Sequence, residues 1–429
     1  MTMKLRLTLI ATLLLLGSSI SMLAAGKYTN ELVESAVSTD TDEAAAAIKQ
    51  LRTMGQTGLD ALFVKFRSEI DNFAKTGEVT PDWLRVANAI DTVGMQKDEY
   101  AAQLYWYTDL NGAKTEAARR NKPILSLRLL GNLNEEFSCA NSRLFRAILY
   151  PNAAISKYLR ENYILHWQSV RPAPRITIDF GDGRKIERTI TGNSIHYILD
   201  KNGDVIDALP GLYTPEMFLS YLTRANELVR SIGTMDAKAR MTALLKYRAD
   251  NFARIKRERD AAIAKAGVEM TETRSGTLAI LAAPMAVAKM VVVDEYSILR
   301  VYDDFAKFEP SIKFDDWGKL AAIYAPSAAI DGNSVAFIRR QNARTGLTEA
   351  EFRSMFAKVE SFVALDSTRN DFIFHTKLYE WLNRGRGVEL ESLNAQVYDQ
   401  LFKTPNTDKW LGLYSNDVYT ALDGNGIIK

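Results

Sequence analysis

The chain has a single cysteine and three histidines, which excludes a disulfide framework and any Cys/His-rich zinc site. It has no charge excess either. Lys and Arg together number 54 against 52 Asp and Glu, a formal net charge of +2, too balanced for non-specific nucleic-acid binding. Low-complexity tracts and repeats of fixed period are absent. With 47% hydrophobic and 25% charged residues, the composition points away from extensive disorder, collagen and a polytopic membrane protein. What is present is enough apolar sequence, over 429 residues, for two or three domains at about 150 residues each.

The N-terminus reads as an export signal over residues 1–26. Lys4 and Arg6 precede an apolar run from Leu7 to Leu16, and Ala24-Ala25-Gly26 offers small residues for cleavage. No cysteine follows the run, so a lipoprotein anchor is not expected. The rival reading is an uncleaved inner-membrane anchor over residues 7–25, just long enough for a bilayer core of about 30 Å. The expected protein is exported, periplasmic or secreted. Cleavage removes two bases and no acid, leaving 52 of each sign.

Residues 27–111 predict a helical region. Leu59, Leu62, Phe63, Phe66, Ile70 and Phe73 recur at helical spacing, and Pro81 after Thr80 opens a helix with Trp83, Leu84 and Ala87 on one stripe. The texture changes at Lys122-Pro123. Ile124 to Leu130 is a short apolar run, as in a strand buried on both faces. Then come a loop (Gly131 to Ser138), a helix stopped by Pro151, a second helix, and an alternating strand from Tyr163 to Val170. Gly181-Asp182-Gly183 marks a hairpin, and Asp200-Lys201-Asn202-Gly203 turns one strand into the next before Pro210-Gly211 breaks it. A long charged helix is expected over 231–270, with Leu245, Phe252, Ile255 and Ala262 on one stripe. Leu278 to Val293 reads as a buried helix, since Pro284 and Lys289 interrupt a membrane span. The remainder of 271–429 is helical, with a capping box at Thr348 to Glu351.

The order strand, helix, strand, hairpin, helix over residues 112–230 resembles the thioredoxin-like superfamily. Four features carry the resemblance. Lys122-Pro123-Ile124-Leu125 is similar to the first core strand, and Cys139-Ala140-Asn141-Ser142 stands where the family keeps its redox motif. Tyr163 to Val170 is similar to the second core strand, and Ile195 to Asp200 with Gly203 to the late strand and its turn. The resemblance implies an α/β thioredoxin-like domain, a mixed sheet with helices, embedded in a largely α-helical chain. Two departures bear on function. The second cysteine of the Cys-x-x-Cys motif is Ser142, and the family's cis-proline position falls at Asn193-Ser194. Without a resolving thiol, intramolecular dithiol–disulfide cycling is impossible.

Two functions remain in view. The first is a non-catalytic binding or envelope-structural module, with protein partners in the cell envelope. The second is a monothiol redox protein in which Cys139 forms mixed disulfides and Ser142 hydrogen-bonds the thiolate. Arg143 and Arg146 would favour the thiolate, Glu135 and Glu136 oppose it. Asn193, Ser194 and His196 are the candidate ligand-binding residues. No cofactor or metal is expected: Asp200, Asn202 and Asp204 have calcium-loop spacing, but Val205 and Gly211 stand where that loop needs Gly and Glu. A Cys–His hydrolase would pair Cys139 with His166 or His196, without a local nucleophile motif to support it. His375, among aromatic helix positions, receives no role. Gly181-Asp182-Gly183-Arg184 lacks the Lys-Ser/Thr of a phosphate loop.

Overall fold

A computed structural model describes residues 28–189, 192–270, 312, 314–384, 388–402, 404, 407 and 409. The expected export signal, residues 1–26, and the apolar run 278–293 lie outside the described residues. The chain divides into two compact units, one reaching Trp106 and including Gly332–Gly346, the other comprising Tyr107–Asp331 and the chain from Leu347 onward.

The first unit is helical. Asp40 caps Thr41–Thr53 by accepting from the Asp42 and Glu43 amides, and Thr80 caps Pro81–Gly94 through the Trp83 amide. The expected helix from Leu59 to Phe73 is two helices, Gln56–Lys65 and Arg67–Thr76, broken at Phe66. The expected stripe on Pro81–Gly94 is corrected. Leu84 is exposed, and Trp83, Val86, Ala89, Ile90 and Val93 face inward. Arg52 ties this packing together by donating to the Val93 and Trp106 carbonyls at 2.7 and 2.5 Å. The helix Gly332–Gln341 joins the unit, with Arg340 donating to the Ala74 carbonyl at 3.0 Å.

The second unit is built on a five-stranded mixed sheet of order β1-β3-β2-β6-β7. Its strands are β1 (Trp106–Tyr107), β2 (Ile124–Leu130), β3 (Ile164–Arg171), β6 (Ser194–Leu199) and β7 (Val205–Pro210). Strand β2 pairs parallel with β3 and antiparallel with β6, and β6 pairs antiparallel with β7. Between β3 and β6 a separate hairpin, β4 (Arg175–Asp179) with β5 (Lys185–Thr189), turns through Gly181 and Gly183 at positive φ. Pairing in β7 continues to Pro210, opposite Ile195. An edge strand tolerates proline because its outward side needs no amide donor.

Register sorts the central strands into two unlike faces. Ser126 lies opposite His166 and Tyr197, and Arg128 two residues on shares their face. The other face carries Leu125, Leu127, Leu129, Leu165 and Trp167 and, opposite them on β6, Ser194, His196 and Ile198, all buried. Helices Leu110–Arg120 and Ala153–Asn162 pack on β3 and Pro215–Ile232 on β7, while Ala140–Leu144 follows β2 in the chain. The 30-residue helix Ala237–Ala266 buries Leu244, Arg248, Asn251, Ile255 and Ala262. The expected stripe through Leu245 is thus corrected: Leu245 is exposed, because the helix turns Arg248 inward to donate to the Val205 and Ile206 carbonyls of β7. The capping box at Thr348 and Glu351 opens Glu349–Arg369.

Candidate functional site

Cys139 is placed by the end of β2. Its amide donates to the Leu130 carbonyl at 3.0 Å after the intervening loop closes on itself. Gly131 makes that closure possible at φ +73, where a Cβ would meet the Ser138 Cα at 3.1 Å. Cys139 then stands as the N-cap, in extended conformation, of Ala140–Leu144, which continues as a π-turn over Phe145–Leu149.

The thiol is fully buried. Its sulfur lies 3.5 Å from Ser142 Oγ and 3.8 Å from the Asn193 carbonyl, while Ser142 Oγ donates to the Cys139 carbonyl at 2.8 Å. The two arginines expected to favour a thiolate are engaged beside it: Arg143 donates to Thr189 Oγ1 at 2.8 Å, Arg146 to Ser138 Oγ at 3.3 Å. The structure therefore brings Cys139, Ser142 and Asn193 together.

Ser194 and His196 are buried on β6. Tyr150 Oη lies 2.8 Å from His196 Nε2, and the ring packs against Phe145 and Phe218. Burial pushes the imidazole down to about 3, so it is neutral. Among the described residues, Ser194 Oγ, His196 Nδ1 and both polar atoms of the Asn141 side chain are buried with no hydrogen-bond partner. No Cys–His hydrogen bond forms: Cys139 Sγ faces Ser142 and Asn193, while His196 is held by Tyr150 and His166 by Ser126.

That second site lies on the polar face of the sheet. His166 Nδ1 is 2.8 Å from Ser126 Oγ, and Arg128 reaches both from Nη1 at 3.2 and 3.4 Å. Burial first, and then the Arg128 charge, push His166 down to about 3. A serine and a histidine at this distance have nucleophile–base geometry, but both are fully buried, and the arrangement acts as a hydrogen-bonded core.

The most elaborate cluster surrounds His375, to which the sequence assigned no role. Its Nε2 lies 3.3 Å from Asp207 Oδ1, and its Nδ1 lies 3.2 Å from Asp371 Oδ1. Tyr247 and Tyr379 donate to Asp207 Oδ2 at 2.7 and 2.8 Å. Tyr221 donates to Asp371 and accepts from Arg254 at 2.7 Å. Burial opposes the His375 proton, but hydrogen bonds to the two carboxylates outweigh it and raise the pKa. For Asp207, burial works upward, yet His375 with Tyr247 and Tyr379 holds the carboxyl below its usual range. The result is a buried imidazolium between two carboxylates, joining β7 to the helices Ala237–Ala266 and Thr376–Arg384. No sequence motif marks it, because its members are neighbours only after folding.

Among the described residues no group of three or more His, Cys, Asp or Glu could hold a metal ion. Asp200, in the suspected calcium loop, accepts from the Asn202 and Asp204 amides at 2.8 and 2.9 Å and pairs with Arg240. No helix among those residues is long and apolar enough to cross a membrane. No family model, curated protein or solved structure matches the chain.

Proposed function

We propose that the protein is an exported, thioredoxin-fold module that binds protein partners or shapes a cell-envelope assembly, its dithiol chemistry lost. The fold part of this reading is supported by the sheet order β1-β3-β2-β6-β7, with β2 parallel to β3 and antiparallel to β6. It is supported too by a helix that starts at Cys139 directly beyond β2. Export is supported by Lys4 and Arg6 ahead of the Leu7–Leu16 run; intact-mass measurement of the native protein distinguishes a start near residues 25–27 from a retained anchor.

The observation that carries the non-catalytic reading is the surroundings of the lone thiol. Cys139 is fully buried, Ser142 Oγ is at 3.5 Å where a resolving sulfur would be needed, and Asn193 presents its carbonyl from the loop before β6. A thiolate must be reached to attack a disulfide. In oxidised glutathione the folded protein stays unmodified by mass spectrometry while a urea-unfolded control gains one adduct. Rapid adduct formation on the folded chain would instead support the monothiol alternative.

A further inference from the structure

We propose that strand β4 pairs edge to edge with β4 of a second copy of this chain, so that the two hairpins form one four-stranded antiparallel sheet. The inference goes beyond the functional reading, since it needs only the hairpin and its sequence.

The hairpin β4–β5 is a sheet of two strands. Two strands alone are marginal in water, and three or more sharing an apolar face are stable. Each strand keeps one edge with no strand beside it among the described residues. Which backbone groups line the β4 edge follows from the turn. The Phe180 amide donates to the Arg184 carbonyl at 3.1 Å, so in an alternating ladder Ile178–Ile186 and Ile176–Arg188 are the hydrogen-bonded pairs. Arg175, Thr177 and Asp179 therefore turn their main-chain N–H and C=O groups outward, where an added strand meets them.

The second copy is the occupant because β4, Arg175-Ile176-Thr177-Ile178-Asp179, is complementary to itself read backwards. A two-fold axis at Thr177 sets that residue against Thr177 of the second copy, Ile176 against its Ile178, and Arg175 against its Asp179. The outward backbone groups fall into register, with the Thr177 pair and both Arg175–Asp179 pairs hydrogen-bonded and the isoleucines in the closer pairs between them. Opposite charges and β-branched side chains placed directly across a sheet are favourable. The charges also extend a ladder already on that face, where Lys185 pairs with Asp179 at 2.9 Å and Arg175 with Glu187 at 3.4 Å. Arg175, stacked over the Phe137 ring, stays 47% exposed and Asp179 51%, so both can take a second partner. On the opposite face the half-buried Ile176, Ile178 and Ile186 join their counterparts in one apolar surface. The β5 edge offers no such match. The same operation on Lys185–Thr189 sets Glu187 against Glu187 and Ile186 against Arg188, and like charges directly opposite are destabilising. Thr189 at its end is buried, with its hydroxyl donating to the Ser138 carbonyl.

Sedimentation velocity of the purified native protein over a concentration series tests the pairing, with circular dichroism confirming that each variant is folded. The parent is expected to show a reversible monomer–dimer equilibrium. Arg175→Asp sets two acids against each other at both ends of the pairing, and Asp179→Arg two bases, so each variant alone raises the dissociation constant about tenfold. Mixed in equal amounts, the two variants again oppose acid to base at both ends and recover the parent's dimer. Register is read by oxidative cross-linking, because Cys139 is buried and a cysteine added at an exposed position reports alone. Thr177→Cys places the two Cα atoms about 5.5 Å apart on the axis, within disulfide range, and forms a covalent dimer, whereas Glu187→Cys does not. The proposal is overturned by a parent that stays monomeric up to about 0.5 mM. It is overturned equally by a dimer that neither charge variant weakens, or by variants whose mixture recovers nothing.

Discussion

Replacing His375 by leucine removes the cation between Asp207 and Asp371. Both carboxylates then remain in the core, Asp207 bonded by Tyr247 and Tyr379 and Asp371 by Tyr221, but with no positive partner at the former imidazole. Deleting one member of a buried ion pair costs about 3–5 kcal/mol, a large share of the roughly 5–15 kcal/mol that holds a domain folded. A drop of about 10 °C in the melting temperature follows. The pH dependence carries the sharper signature. The folded pKa of His375 is raised above its ordinary 6.5, so its contribution is complete below pH 6.5 and is lost as pH rises through the folded value. The folded pKa of Asp207 is lowered from its ordinary 3.8, so its contribution is present above that pH and is lost as pH falls through the folded value. Urea unfolding followed by tryptophan fluorescence at several pH values measures both arms. In His375→Leu the alkaline decline disappears and the overall stability falls. A variant within about 1 kcal/mol of the parent, with the same alkaline slope, would refute the imidazolium assignment.

Other substitutions test the packing around these sites. Gly211 has φ +82, and a Cβ there would fall 2.4 Å from Asn370 Nδ2, so Gly211→Ala lowers the unfolding free energy by about 2 kcal/mol or more. Thr348→Ala loses the capping box of Glu349–Arg369 and costs about 1 kcal/mol in urea titration. Cys139→Ser keeps the circular dichroism spectrum and costs about 1 kcal/mol, since the serine hydroxyl donates to the same Asn193 carbonyl.

Local signals in the sequence carried much of the architecture. The short, largely apolar run Ile124–Leu130 is the central strand because it is covered on both faces, Pro151 ends its helix, and Gly181-Asp182-Gly183 turns its hairpin. The same run hid two polar residues with a purpose. Ser126 and Arg128 carried no signal of their own in the sequence, yet pairing with β3 and β6 sets Ser126 beside His166 and Tyr197, with Arg128 on the same face. Periodicity misplaced Leu84 and Leu245 because a helix's inward face is chosen by its neighbours, and on Ala237–Ala266 those neighbours want Arg248. The Asp207–His375–Asp371 cluster was illegible for the same reason. Asp207 and His375 meet across 168 residues of chain, and only Asp371 and His375 share a helical turn. Within the site, the position of Cys139 at a helix start was readable from the order of elements. Its burial was not, because part of what closes over it, Tyr398 and Thr404, comes from near the other end of the chain.

The most direct test of the account is a disulfide-reduction assay on the purified full-length protein, with insulin as substrate and dithiothreitol as the electron source. A thiol sealed between Ser142 and Asn193, with no second cysteine in the chain, predicts turnover no faster than dithiothreitol alone, and the same for Cys139→Ser. Rapid reduction by the parent protein that is abolished by Cys139→Ser would contradict the non-catalytic reading.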